Sequence, residues 1–514
     1  MKIRHGSRAC CLAAIALVTA CAPENATFNQ APGRYAPHFD RAEIAGLTTD
    51  RASTGGASWV DYDNDGDLDL FLTNGYDVSS PEPAPQPNRL YRNDRNGTFS
   101  SVTSGALVES AGFSSGHTWA DYDNDGDLDV FVTNQRDQDN MLFRNEGEGR
   151  FTAILDEPPV TDGGHSYAAA WVDVDSDGWL DLFVANGGLS HVGQNYLYRG
   201  MGQGHFQKIT TGAIVTDEAQ SCGFAWGDYD NDGDPDLFVA NQGFNPATNS
   251  NALYRNEGNW QFTLILDTPV ASDHLPSCAA DWVDIDNDQD LDLFVTNLYG
   301  LADLLYVNDG QGNLALVSDS PLTLEGGYSY DANWEDYDND GDLDLILANW
   351  GACPVLYLND GHGKFTRARA GDLGHHLHHA GTLASADHDA DGDIDVYLAN
   401  WPNQPGPEEQ NCLYVNRGTP GHWLQVRLAG TTCNRSAIGA RLLLTTEIAG
   451  APVTQLREIV AQTGFRGQSA MVTHFGVGSV ESIARLEVHW PGGKVSAMTD
   501  LAVDQLVEMN EDSE

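Results

Sequence analysis

One nine-residue pattern constrains this chain more than any other feature: Asp-x-Asp-x-Asp-Gly-x-x-Asp begins at Asp61 and returns at Asp121, Asp173, Asp228, Asp284, Asp336 and Asp387, at intervals of 51 to 60 residues. Each copy runs into an apolar stretch, Leu70-Phe71-Leu72 in the first and Leu237-Phe238-Val239 in the fourth, so every acidic loop feeds a strand. Repetition at this period means supersecondary units that bury their apolar faces only against one another.

Two further landmarks recur within each unit. One is the strand type Leu90-Tyr91-Arg92-Asn93, repeated at Leu142, Leu197, Leu253, Leu305, Leu356 and Leu413. The other is a strand led by Phe39, Phe99, Phe151, Phe206, Phe262 and Phe365, with Leu314 standing in for Phe in the fifth unit. A unit is therefore four short strands, and seven such units point to an all-β, seven-bladed β-propeller, which removes exposed sheet edges by radial closure. The seventh unit lacks its own Phe-led strand, whereas Phe39 to Leu47 precedes every loop and has no unit. The N-terminal strand is thus expected to complete blade seven and close a ring spanning 39–417. Trp59, Trp119, Trp171, Trp226, Trp282 and Trp334 stand two residues ahead of their loops, with Ser385 in the last, and read as wedges between neighbouring sheets rather than as a ligand platform.

The loops themselves carry the chemistry. Positions one (Asp61, Asp121, Asp173, Asp228, Asp284, Asp336, Asp387), three (Asp63, Asp123, Asp175, Asp230, Asp286, Asp338, Asp389) and five (Asp65, Asp125, Asp177, Asp232, Asp288, Asp340, Asp391) are always Asp, as is position nine (Asp69, Asp129, Asp181, Asp236, Asp292, Asp344, Asp395). Oxygen donors at alternate positions suit a hard cation of high coordination number, calcium more than magnesium, and up to seven ions, one per blade. Position seven is Asp67, Asp127, Asp234, Asp290, Asp342 and Asp393 but Trp179 in the third copy, as expected where only a backbone carbonyl contributes. An EF-hand needs an acid at position twelve, and this chain has Leu72, Val132, Val184, Val239, Val295, Leu347 and Leu398 there. Asp at position nine is therefore expected to close the coordination. Gly at position six supplies a positive φ; Gln289 breaks that rule in blade five, at a cost of about 1 kcal/mol.

The chain holds 75 acidic against 26 basic residues, a formal charge of -49, which repels nucleic acid and anionic lipid headgroups. Of those acids 34 are loop Asp residues, a clustering that fits cation binding rather than a solvated tail. Seven calcium ions at ten times their dissociation constant would contribute roughly 10 kcal/mol of stability, so the metal is expected to be structural.

The loops with their following strands resemble FG-GAP/VCBS repeats, as in the propeller of integrin α chains; the resemblance implies the fold and the calcium, and the integrin role in adhesion does not travel with it. The period stops at Gly418, and 418–514 reads as a separate β domain with alternating strands from His422, Ala440 and Arg485. Ala437-Ile438-Gly439-Ala440-Arg441, Phe475-Gly476-Val477-Gly478 and Val488-His489-Trp490-Pro491-Gly492-Gly493 resemble the ASPIC/UnbV domain. A propeller followed by that domain is similar to the cartilage acidic protein family and its bacterial relatives, for which the resemblance implies no catalytic activity.

Lys2, Arg4 and Arg8 precede an apolar run from Ala9 to Ala20, an export signal over 1–20. It ends Leu17-Val18-Thr19-Ala20-Cys21, which resembles the bacterial lipobox and implies lipidation of Cys21, with Ala22 implying outer-membrane sorting; 21–38 is then a linker. In an oxidising compartment Cys222 and Cys278, which share one position in consecutive units, are either a bridge or two small buried residues. No nucleophile elbow, zinc-protease motif or phosphate loop occurs. The expected function is a calcium-stabilised, exported, envelope-anchored protein that presents its propeller to a protein or glycan, touching membrane only through its anchor. The alternative is an extracellular hydrolase or lyase of a polymer, using His375-His376-Leu377-His378-His379 with His165.

Overall fold

In every unit the first and second strands pair antiparallel because the acidic loop between them reverses the chain over a constant length. The computed structural model describes residues 36–44, 46–48, 53–75, 84–95, 97–188, 191–243, 250–324, 326–401, 410–448 and 450–512. The export segment 1–20, Cys21 and the linker to residue 35 lie outside the described residues.

Blade one consists of Thr54–Val60, Asp69–Asn74, Arg89–Asn93 and Phe99–Ser101, hydrogen-bonded in that order, and five further blades repeat the scheme. In blade seven the order is His378–Ala386, Asp395–Asn400, Cys412–Asn416, and then Phe39–Ala42, whose Phe39 lies opposite Asn416 and whose Ala42 lies opposite Leu413. The first strands of all seven blades touch their neighbours in sequence, and that of blade seven touches that of blade one, so the ring is closed. Blades six and seven are also joined edge to edge, Trp350 pairing with His379.

The wedges hold the blades together. Trp119 meets Phe71 of the preceding blade edge-on at 5.3 Å, and Trp334 meets Phe294 at 5.4 Å. Such T-shaped contacts add about 0.5–1.5 kcal/mol each beyond the area buried. The Asn that ends the third strand ties blades together as well: Asn145 Nδ2 donates to the Tyr62 carbonyl in the loop of the blade before it at 2.8 Å, and Asn93 does the same to His388 at 3.1 Å across the closure.

The C-terminal domain is a seven-stranded pair of sheets. One is three-stranded, Thr473–Gly478, His422–Ala429 and Gln505–Asn510; the other is four-stranded, Ala451–Glu458, Arg441–Ile448, Ser482–His489 and Val495–Ala502. Leu424, Val426, Leu442, Leu444, Phe475 and Leu486 fill the space between them. Glu511 clasps its base, accepting the backbone N–H groups of Thr431, Thr432 and Cys433.

Candidate metal centres

Each loop folds around its own acids. In the second copy Asp121 Oδ1 accepts the Asp125 amide at 3.0 Å and Oδ2 accepts the Gly126 amide at 2.7 Å, which winds the chain into a tight arc. Asp125 Oδ1 accepts the amide of Asp127, two residues on, and the same contact recurs at Asp177 to Trp179 and Asp340 to Asp342. Asp129 is buried at the start of the second strand; its Oδ1 accepts the Asn145 amide at 2.7 Å and its Oδ2 that of Tyr122 at 3.2 Å. Position nine therefore anchors the loop to the sheet, each of its oxygens keeping a second lone pair for a cation.

Positions one, three and nine converge. The carboxylates of Asp61, Asp63 and Asp69 place ligand oxygens within 4.8 Å of one another, as do Asp121, Asp123 and Asp129, and Asp173, Asp175 and Asp181. At position three, Asp63, Asp123, Asp175, Asp230 and Asp286 each hold a buried Oδ1 that no hydrogen bond satisfies. A buried acceptor left without a donor costs about 1–3 kcal/mol, and more when charged, unless a cation takes that lone pair. Burial, reinforced by the neighbouring acids, raises Asp69 to about 8, Asp236 to about 9 and Asp292 to about 8. The donor set fits a hard divalent ion.

Position seven does something else with its side chain. Asp127, Asp290 and Asp342 each accept the Nδ2 of the position-four Asn in the loop before it, from Asn64, Asn231 and Asn287 at 2.8 Å. Asn339 bonds Asp393 likewise at 3.0 Å. Where Trp179 replaces the acid, Asn124 turns to the Gly178 carbonyl at 3.0 Å. Four of the six variable acids thus link adjacent loops around the ring. Position four has φ between 53° and 62° in all seven loops, the left-handed conformation that Asn tolerates best after Gly. Gln289 adopts φ 76°, as its place at position six demands, and its carbonyl accepts Arg441 Nη2 at 3.1 Å. Blade seven departs from the rest: His388 Nδ1 lies against Asp395 Oδ2, which puts an imidazole beside the ninth-position acid.

The C-terminal domain lies across this loop face. The Gly476 amide donates to Asp336 Oδ2 at 3.0 Å and Gln425 Nε2 to Asp387 Oδ2 at 2.8 Å, so two first-position acids serve both loop and domain. Arg441 reaches Asn231 Oδ1 at 2.8 Å, and the Arg435 amide donates to Asn124 Oδ1 at 2.8 Å. From the same domain residues 461–470 enter the axis of the ring. Gln468 exchanges bonds with the N–H and C=O of Trp119, Thr382 Oγ1 donates to the Phe465 carbonyl, and Asn333 Nδ2 donates to Ser469 Oγ. Gly56 is required there, since a Cβ would stand 2.3 Å from the Arg466 carbonyl oxygen.

The opposite face is built differently. In blades one to five the Asn ending the second strand is held by a hydroxyl of the first strand, as with Ser166 Oγ to Asn186 at 2.8 Å and Ser277 Oγ to Asn297 at 2.7 Å. The histidines of the enzyme alternative separate on that face: His378 is buried with Nε2 at 2.7 Å from Tyr414 Oη, His379 meets Trp350 edge-on, and His375 and His376 are exposed. His165 pairs instead with His191, rings stacked at 5.1 Å, beside Asp137. Among the described residues no helix is long and apolar enough to cross a membrane.

The FG-GAP-like repeat model matches residues 61–132, 121–184, 173–239, 284–347 and 336–398, and the ASPIC and UnbV model matches 430–514. Cartilage acidic protein 1 of Mus musculus is 23% identical over 476 residues, covering 86% of this chain and 71% of that protein. The Homo sapiens protein is 24% identical, covering 86% and 69%. A solved structure of BBS1N in complex with ARL6DN is 11% identical, with TM-score 0.42, covering 74% of this chain and 98% of that one.

Proposed function

Because the chain belongs to the FG-GAP-like repeat family and carries an ASPIC and UnbV domain, we propose that it is a calcium-stabilised interaction protein that presents the face opposite its C-terminal domain to a protein or glycan. The observation that carries the calcium is the set of buried, unsatisfied position-three oxygens at the convergence of positions one, three and nine. Asp at positions one, three, five and nine, with the position-seven carbonyl, forms the ligand set; the ion neutralises acids whose burial otherwise favours protonation.

The free face is assigned to recognition by its irregularity. Between second and third strands the connections run from two residues, Ala352 to Val355, to fourteen, Asn74 to Arg89, and variable loops on a rigid scaffold are where binding resides. The export segment and Cys21 support an outer-membrane lipoprotein or another envelope location. Capture from envelope extract by the immobilised protein, with calcium and with chelator, tests the reading. Calcium-dependent retention of one partner is expected; equal retention after chelation, or partner binding abolished only by substitutions on the loop face, would overturn it.

A further inference from the structure

Cys222 and Cys278 are the features of the ring that calcium binding and the free face leave unused. They occupy the same place on the innermost strands of blades four and five, Ser221–Gly227 and Ser277–Val283. Both side chains are fully buried, and their sulfurs are 3.5 Å apart. No backbone ladder joins these two strands, since each belongs to its own four-stranded sheet. Their separation is nevertheless fixed: a Cβ on Gly223 would lie 2.3 Å from the Cys278 carbonyl oxygen.

The pair sits under the inserted loop. Phe465 packs in one cluster with Tyr167, Cys222, Cys278 and Tyr330. Beside it Arg466 is 1% exposed, its guanidinium carbon 4.4 Å from the Tyr167 ring centre, 4.0 Å from Trp401 and 4.1 Å from Phe465. With residues 461–470 seated, both thiols are 0% exposed.

We propose that Cys222 and Cys278 form a disulfide that staples blade four to blade five, made before residues 461–470 enter the axis and sealed by them afterwards. The sulfurs must close from 3.5 Å to about 2.05 Å. The bond forms by exchange. One thiolate attacks a disulfide of a low-molecular-weight or protein oxidant, and the second thiolate attacks the resulting mixed disulfide. The two cysteines lose two protons and two electrons in all, and the oxidant leaves as its two thiols. The proposal rests on the exported reading, because that compartment supplies the oxidant.

Two samples of the full chain test it. One is purified from the native envelope; the other is reduced, unfolded and refolded with glutathione disulfide in the presence of calcium. Each is alkylated in denaturant without reductant and its peptides are mapped by mass spectrometry. Linked, unalkylated Cys222 and Cys278 peptides are expected in both. A link in the refolded sample alone supports the staple and overturns export; alkylated thiols in both overturn the staple. In the native state the bond is expected to resist a phosphine reductant at least tenfold longer than in denaturant, and equal rates would overturn the sealing order.

Discussion

The two faces of the ring follow opposite rules of length. On the loop face every blade passes from first to second strand over the same span, Val60 to Asp69 in blade one and Ala386 to Asp395 in blade seven. On the other face the next connection ranges from two residues to fourteen. A loop whose carboxylates must meet within a few ångströms tolerates no insertion, whereas a loop that leaves the sheet edge is free to lengthen. The first face is therefore read as the one that fixes the ring and seats the C-terminal domain, and the second as the one that varies what the ring presents.

The hardest blow to that contrast is chelation. Removing calcium is expected to lower stability by roughly 10 kcal/mol, seen as a drop of about 10 °C or more in the calorimetric midpoint and reversed by calcium rather than magnesium. An unchanged midpoint would leave the loop face with no special role. Next in size is Arg441→Ala, which strips bonds from Asn231 and Gln289 and should cost about 1.5–3 kcal/mol in denaturant unfolding. If the loss appears only with calcium present, the domain senses loaded loops.

Glu511 gives a pH signature of about 1–2 kcal/mol. Burial alone would raise its pKa, but hydrogen bonds from Thr432 and from the amides of Thr431 and Cys433 outweigh it and hold the pKa well below the ordinary carboxylate value. Its contribution is therefore complete above the unfolded pKa and lost as pH falls through the lower folded one. The native protein should weaken on acidification below about pH 4, and Glu511→Gln should flatten that decline. Smaller still, Gln289→Gly should stabilise by about 1 kcal/mol and tighten calcium at blade five alone, measured by titration calorimetry. Joint substitution of His375, His376 and His379 by Ala should move the midpoint by less than about 0.5 kcal/mol equivalent, since two of the three are exposed. A large shift there would erase the division between the faces.

Much of the first face was legible in the sequence because a loop whose acids converge keeps a fixed spacing: seven loops, their Gly at position six and the Gln289 exception are all letters. The ring closure was legible for a related reason, since Phe39 is a strand with no unit and Cys412–Asn416 a strand with no partner. The bonds from position-four Asn to position-seven Asp were not, because each residue alone reads as an ordinary turn former and only the ring brings them together. Nor was the insertion of 461–470 into the axis: Gly464-Phe465-Arg466-Gly467 has no period, and the channel that receives it exists only after closure. The histidines of blade seven, adjacent in sequence, part in the fold because His378 and His379 are successive residues of a strand and point to opposite faces, while His375 and His376 precede that strand.

The pairing of Phe39 with Asn416 also sets an order of assembly. The segment synthesised first must wait, its hydrogen-bonding edge unfilled, until nearly the whole ring has been made, and no partial chain offers it the right neighbour. Blades can collapse one by one as they emerge, but circular closure is a last, long-range event between the oldest and the newest parts of the propeller. Folding speed is then governed by that meeting rather than by any single blade.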